Sequence, residues 1–207
     1  GRELTAEDAV YSLTRILDPR VKSPAAGFLD RVVGSREFQE GTAQSVRGLV
    51  APDRYTFVVR LSEPYAPFIS VLGMNKFKLV PREEVEKSET GFGRAPVGTG
   101  PFRFVSVKEG EEILLEANGD YFEGRPYLDK LVFKIFHGSP MEEILRSFRS
   151  GHLDDSPVPF QQVGEVADLR QHTLIRKPIL SLRFYGLNCQ WGPLKDKKVR
   201  QAVNLSV

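Results

Sequence analysis

The chain has 207 residues, of which 41% are hydrophobic and 27% charged, a composition that excludes intrinsic disorder. A compact chain of this size buries roughly 70% or more of its unfolded surface, enough for one or two domains with real cores. The 29 basic and 27 acidic residues leave a net charge of +2, which argues against a dedicated nucleic-acid binder. No apolar run approaches the roughly 20 residues of a membrane span. The one cysteine, Cys189, excludes an internal disulfide and says nothing about compartment.

In chain order, the first expected element is a helix. Thr5 is placed to cap it, Asp8 sits at its third position, and Val10, Leu13, Ile16 and Leu17 form an apolar stripe that Pro19 ends. Residues 18–42 are rich in Gly, Pro, Ser and charge and read as a loop with short turns. Strands are expected at Ser45–Val50 and Tyr55–Leu61, with Pro52-Asp53-Arg54 as the turn. A short helix is expected within Pro64–Gly73, and Pro81 opens another over REEVEK.

Residues 88–101 read as a connection. Within it, Gly98-Thr99-Gly100-Pro101 lacks the Lys-Ser or Lys-Thr of a phosphate loop and runs into a strand where such a site needs a helix N-terminus. These four residues are therefore expected to form a structural loop, with glycines at unusual φ. Phe102–Val107 and Ile113–Ala117 flank Lys108-Glu109-Gly110 as a hairpin, and Leu128–Phe136 is a further strand. Ser139 or Pro140 begins a helix through Met141, Ile144, Leu145 and Phe148 that Gly151 closes. Two more strands are expected near His172–Arg176 and Leu180–Leu187, and a last helix over Lys195–Val207, with Asp196 as its cap.

Catalytic chemistry finds little support. His137, His152 and His172 are far apart, and no HExxH or CxxC spacing suggests a metal site. The carboxylate pairs Glu83-Glu84, Glu111-Glu112, Glu142-Glu143 and Asp154-Asp155 are adjacent in sequence, so their side chains diverge instead of converging on one bond. No G-x-S-x-G elbow is present. Lys195, Lys197, Lys198 and Arg200 read as a solvated helix face or a phosphate contact. No catalytic residue, metal or cofactor is expected.

The aromatics carry more. Phe184, Tyr185 and Trp191 surround Asn188, where a strand leads through a Gly-Pro turn into the last helix. That grouping suits either ordinary core or the wall of a small-ligand cleft.

Five segments then fall into a recognisable order: GRELTAEDAVYSLTRILDP at 1–19, APDRYTFVVRLSEPYAPFISVL at 51–72, PVGTGPFRF at 96–104, NGDYFEGRPYLDKLVFKI at 118–135 and LNCQWGPLKDKKVRQAVN at 187–204. Together they resemble the extracellular solute-binding proteins of family 5, the oligopeptide- and dipeptide-binding receptors of ABC importers. The resemblance covers nearly the whole chain, whereas family members are much longer, so a fragment is expected.

The resemblance implies a mixed α+β fold: a partial lobe of the type II periplasmic-binding-protein kind with an inserted α+β subdomain. Residues 1–93 would be the inserted subdomain, 94–180 part of the first ligand-binding lobe, and 181–207 the crossing strand and first helix leading to a second lobe. It implies capture of a peptide or similar small solute, delivery to ABC permease subunits in the membrane, no nucleic acid, and a periplasmic or cell-surface lipoprotein location with the export signal outside this chain. Phe184, Tyr185, Asn188 and Trp191 would then face the ligand. The alternative is that the same domain type serves as the ligand sensor of a transcription regulator.

Overall fold

The computed structural model describes residues 2–87, 91–138, 140–167, 172–179, 181–182 and 184–206. The chain divides into two compact units, Gly1–Pro140 and Met141–Val207.

The first unit opens with helix α1, Ala6–Leu17. The Asp8 carboxylate accepts the Thr5 backbone N–H at 2.8 Å and the Thr5 hydroxyl at 3.2 Å, so the start of the helix is fixed where the sequence placed it. Leu13, Ile16 and Leu17 are buried from the expected stripe. They join a core that runs from Leu13 to Phe77 and includes Leu29, Val32, Val46, Leu49, Phe68 and Val71. Residues 18–42 are more ordered than the composition predicts. They hold a 3-10 turn at Ala26–Leu29 and helix α2, Ser35–Gln39, because Ala25, Leu29 and Val32 are all drawn into that core.

Strands β1, Leu49–Asp53, and β2, Thr56–Val59, pair antiparallel. The turn lies later than expected, at Arg54-Tyr55, where Asp53 Oδ1 accepts the N–H groups of Tyr55 at 2.9 Å and Thr56 at 3.0 Å. Pro52 is tolerated within β1 because the register shifts between Val50 and Asp53. Helices α3, Phe68–Leu72, and α4, Arg82–Lys87, follow as expected.

The second sheet is built from β3, Phe102–Lys108, β4, Glu112–Ala117, and β5, Lys130–Lys134, in that order and antiparallel throughout. Gly110, at φ 75°, supplies the left-handed residue of the β3–β4 turn. A register shift between Phe104 and Ser106 lets Val107 fall opposite Ile113, and Ile113 in turn sits opposite Phe133. One face is thereby apolar throughout, with Phe102, Phe104, Val107, Ile113, Leu115, Leu131 and Phe133. On the other face Arg103 pairs with Glu116 at 3.5 Å, and Glu112 pairs with Lys108 at 2.9 Å and with Lys134. The apolar face is only partly covered: Phe133 is 55% exposed.

In the second unit α5, Met141–Arg149, is followed by Gly151 at φ 77°, as the sequence indicates. Ser139, the other expected start of this helix, lies outside the described residues. A 3-10 turn at Phe160–Gln162 leads into α6, Val163–Ala167, and a second 3-10 turn, Gly192–Lys195, precedes α7, Lys197–Leu205. The two strands expected near 172–176 and 180–187 are absent among the described residues; Leu180 and Arg183 lie outside them. Alternating apolar residues make a strand only where a neighbour takes up the ladder bonds. Here Ile175, Ile179 and Leu182 are exposed.

Candidate functional site

The aromatic group singled out by sequence lies in the second unit and faces solvent: Phe184 is 83%, Tyr185 75% and Trp191 60% exposed. In this chain these side chains are therefore not core. Asn188 opens the turn between Tyr185 and Trp191. Its Oδ1 accepts the Gln190 N–H at 3.0 Å, and its backbone carbonyl accepts the Trp191 N–H at 3.1 Å. The turn passes through Gly192-Pro193 to Asp196, whose side chain accepts the Lys198 N–H at 2.7 Å and caps α7. Arg200 donates to the carbonyls of Leu194 and Lys195, at 2.8 and 2.9 Å. Within the basic run, Arg200 thus ties the helix to the turn before it, its guanidinium committed to backbone acceptors.

A concavity of about 840 Å³ in the same unit was not anticipated from the sequence. Leu145, Phe148, Phe160, Val163, His172 and Ile175 line it, with Asp154 and Asp155 beside them. The Phe148 and His172 rings stand 4.6 Å apart, centre to centre. Its sequence signal was the apolar stripe of α5, which reads equally well as core. None of Phe184, Tyr185, Asn188 or Trp191 lines this concavity.

The Gly98–Pro101 segment lies in the first unit and corrects one expectation. Neither Gly98 nor Gly100 has a positive φ. A Cβ at Gly98 would meet nothing within 4 Å, and one at Gly100 only Phe102 O at 4.0 Å. The segment is instead held from outside. Asn118 Nδ2 donates to Gly100 O at 3.0 Å and Asn118 N–H to Pro101 O at 2.8 Å. Val97, Gly98 and Thr99 line a small cavity, about 210 Å³, together with Arg2, Asp8 and Glu83.

Of the carboxylates singled out by sequence, Glu83, Glu84 and Glu112 pair with cations. Glu83 receives Arg2 Nε at 2.5 Å and Glu84 receives Lys87 Nζ at 2.5 Å. Hydrogen bonds from Lys134 and Lys108 pull the Glu112 carboxyl down to about 2, and hydrogen bonds from Arg2 do the same to Glu83. Among the described residues no group of three or more His, Cys, Asp or Glu is arranged to hold a metal ion.

Comparison with known proteins accounts for the order of motifs. The family described as bacterial extracellular solute-binding proteins, family 5 Middle, matches residues 1–207. Among curated relatives, the oligopeptide-binding protein AppA of Bacillus subtilis is 27% identical over 215 residues, covering 100% of this chain and 36% of its own length. The periplasmic oligopeptide-binding protein OppA of Salmonella typhimurium is 28% identical over 214 residues, covering 100% and 39%. This chain therefore spans little more than a third of those relatives.

Among solved structures, AppA of Bacillus subtilis in complex with a nonapeptide aligns at TM-score 0.80 and 26% identity, over 100% of this chain and 39% of that one. The murein tripeptide binding protein MppA of Escherichia coli aligns at TM-score 0.86 and 23% identity, over 100% and 41%, and shows the fold alone. The mixed helix-and-sheet architecture is that of part of a type II periplasmic binding protein, and the chain belongs to the bacterial extracellular solute-binding proteins, family 5.

Proposed function

We propose that this chain is the middle portion of a receptor that captures a peptide outside the cytoplasm and hands it to the permease of an ABC importer. The observation that carries this reading is the family match over all 207 residues, joined to the likeness with a receptor solved around a nonapeptide. The reading is of a binder and not an enzyme, because the family is one of solute-binding proteins. No observation favours the regulator reading.

In this account residues 1–93 form the inserted subdomain, 94–180 a part of the first lobe, and 181–207 the passage to the second. The boundary near 93 draws support from the core of the first unit, which ends at Phe77, and from the separate β3–β5 sheet that follows, whereas the break between the compact units, at Pro140, falls inside the 94–180 segment. The apolar face of that sheet, with Phe133 at its exposed edge, is where the rest of the receptor chain packs. Phe184, Tyr185, Asn188 and Trp191 supply one wall of the peptide cleft. Their exposure leaves rings and amide available to a ligand, and an amide both donates to and accepts from a peptide bond.

Affinity then comes from closure. A ligand that contacts both lobes only in the closed form shifts the open–closed balance by its differential affinity for that form. The receptor works in the periplasm or as a lipoprotein on the cell surface. The test is to equilibrate the full-length receptor with a mixed pool of di- to pentapeptides, remove free ligand, and identify by mass spectrometry what is retained. Retained peptides support the reading; a receptor that retains no peptide from the pool overturns the ligand class.

A further inference from the structure

We propose that residues 97–101 form a strap joining the two halves of the first unit, and that Asn118 is the positioning residue that holds it. At one end Val97, Gly98 and Thr99 border a cavity of about 210 Å³ whose other walls include Arg2 and Asp8, before and within the first turn of α1, and Glu83 of α4. At the other end, Asn118 grips two consecutive carbonyls, Gly100 O at 3.0 Å through its side-chain amide and Pro101 O at 2.8 Å through its backbone N–H. Asn118 also starts the turn that follows β4: its Oδ1 accepts the Asp120 N–H at 3.2 Å. One residue thus ties the entry of β3 to the exit of β4.

The strap has no internal means of holding this path. Gly98 and Gly100 adopt ordinary φ, and Gly98 has open space where a side chain would point. Pro101 fixes its own φ but has no N–H to donate. The bonds from Asn118 therefore supply the order that the backbone lacks. Only an amide fills the role at this length, since it donates to Gly100 O while accepting from Asp120 N–H. An aspartate at neutral pH keeps the acceptor, loses the donor, and sets a negative oxygen against a carbonyl.

The experiment is amide hydrogen exchange on this chain and on two variants, Asn118→Asp and Asn118→Ser. The serine hydroxyl retains a turn with Asp120 but is too short to reach Gly100 O, so it carries the test if the aspartate variant fails to fold. The expected result is a loss of protection of about tenfold or more at amides 102–104 and 118, with amides 13–17 of α1 unchanged within about twofold. Unchanged protection at 102–104 and 118 in a folded variant would overturn the proposal. So would an equal loss throughout α1, which would make Asn118 a general stability residue and not the anchor of a strap.

Discussion

Arg2 and Asp8 form a two-pronged ion pair, Nη2 to Oδ1 at 2.5 Å and Nη1 to Oδ2 at 2.8 Å, although Asp8 is only 4% exposed. The same guanidinium reaches Glu83 through Nε at 2.5 Å and Nη2 at 2.9 Å, so one cation ties the first turn of α1 to α4. Asp8 is also the acceptor that starts α1. Hydrogen bonds from Arg2, reinforced by the Thr5 N–H, hold its carboxyl down at about 2 against an ordinary 3.8.

A depressed carboxylate stabilises the folded state above its unfolded pKa and loses that contribution as pH falls through the folded value. Asp8 is therefore worth roughly 2–3 kcal/mol at neutral pH, lost between about pH 4 and pH 2. Asp8→Asn should lower stability at pH 7 by about 1–3 kcal/mol and flatten the dependence over that window. Urea unfolding at several pH values checks this; a variant with the parent's slope between pH 4 and pH 2 would contradict it.

Ser12 makes a second link out of α1. Its hydroxyl accepts the Val80 N–H at 2.9 Å and donates to Asp8 O at 2.6 Å, in a buried position. Ser12→Ala strands the Val80 donor and should cost about 1–3 kcal/mol. In denaturant this appears as a lower midpoint with an unchanged m-value.

The glycines divide differently from the sequence expectation. Gly98→Ala should be neutral within about 0.5 kcal/mol, given its ordinary φ and open surroundings. Gly48→Ala should be damaging. Its Cβ would lie 2.7 Å from Arg60 O and 2.8 Å from Val33 N, while the Gly48 N–H and carbonyl bond Val33 O at 2.7 Å and Arg60 N–H at 2.8 Å. Backbone on both sides cannot give way easily, so a loss of about 3 kcal/mol is expected. Paired melting curves of the two variants decide it.

What was legible in the sequence was local. The Thr5–Asp8 start and apolar stripe of α1, the β3–β4 hairpin, Gly151 after α5 and the Asp196 cap of α7 are all written within a few residues of where they act. What was not legible depends on distant partners. Arg2 meets Glu83 across 81 residues, and no spacing rule announces that. Gly48 matters because two other segments press on it, whereas Gly98-Thr99-Gly100-Pro101 looked special only as a string. The alternation at 172–187 describes side chains that could line a sheet but not whether a neighbouring strand exists. For the same reason the sequence left Phe184 and Tyr185 open between core and cleft; within this chain both are exposed.

That exposure gives a two-part expectation for the proposed cleft wall. In the 207-residue chain, Tyr185→Ala should leave the melting temperature nearly unchanged, because a side chain 75% exposed contributes little packing. In the full-length receptor, Tyr185→Ala and Asn188→Ala should each weaken peptide binding by about tenfold or more, as expected for a lost hydrogen bond or aromatic contact in a desolvated cleft. Lost stability with normal affinity would assign both residues to packing.

The most direct measurement is calorimetric titration of one peptide pool into two proteins, the full-length receptor and this 207-residue chain. The account predicts saturable submicromolar binding by the receptor and no measurable heat from the chain, which offers one wall of a two-walled cleft. Submicromolar binding by the chain alone, or none by the full-length receptor, would contradict it.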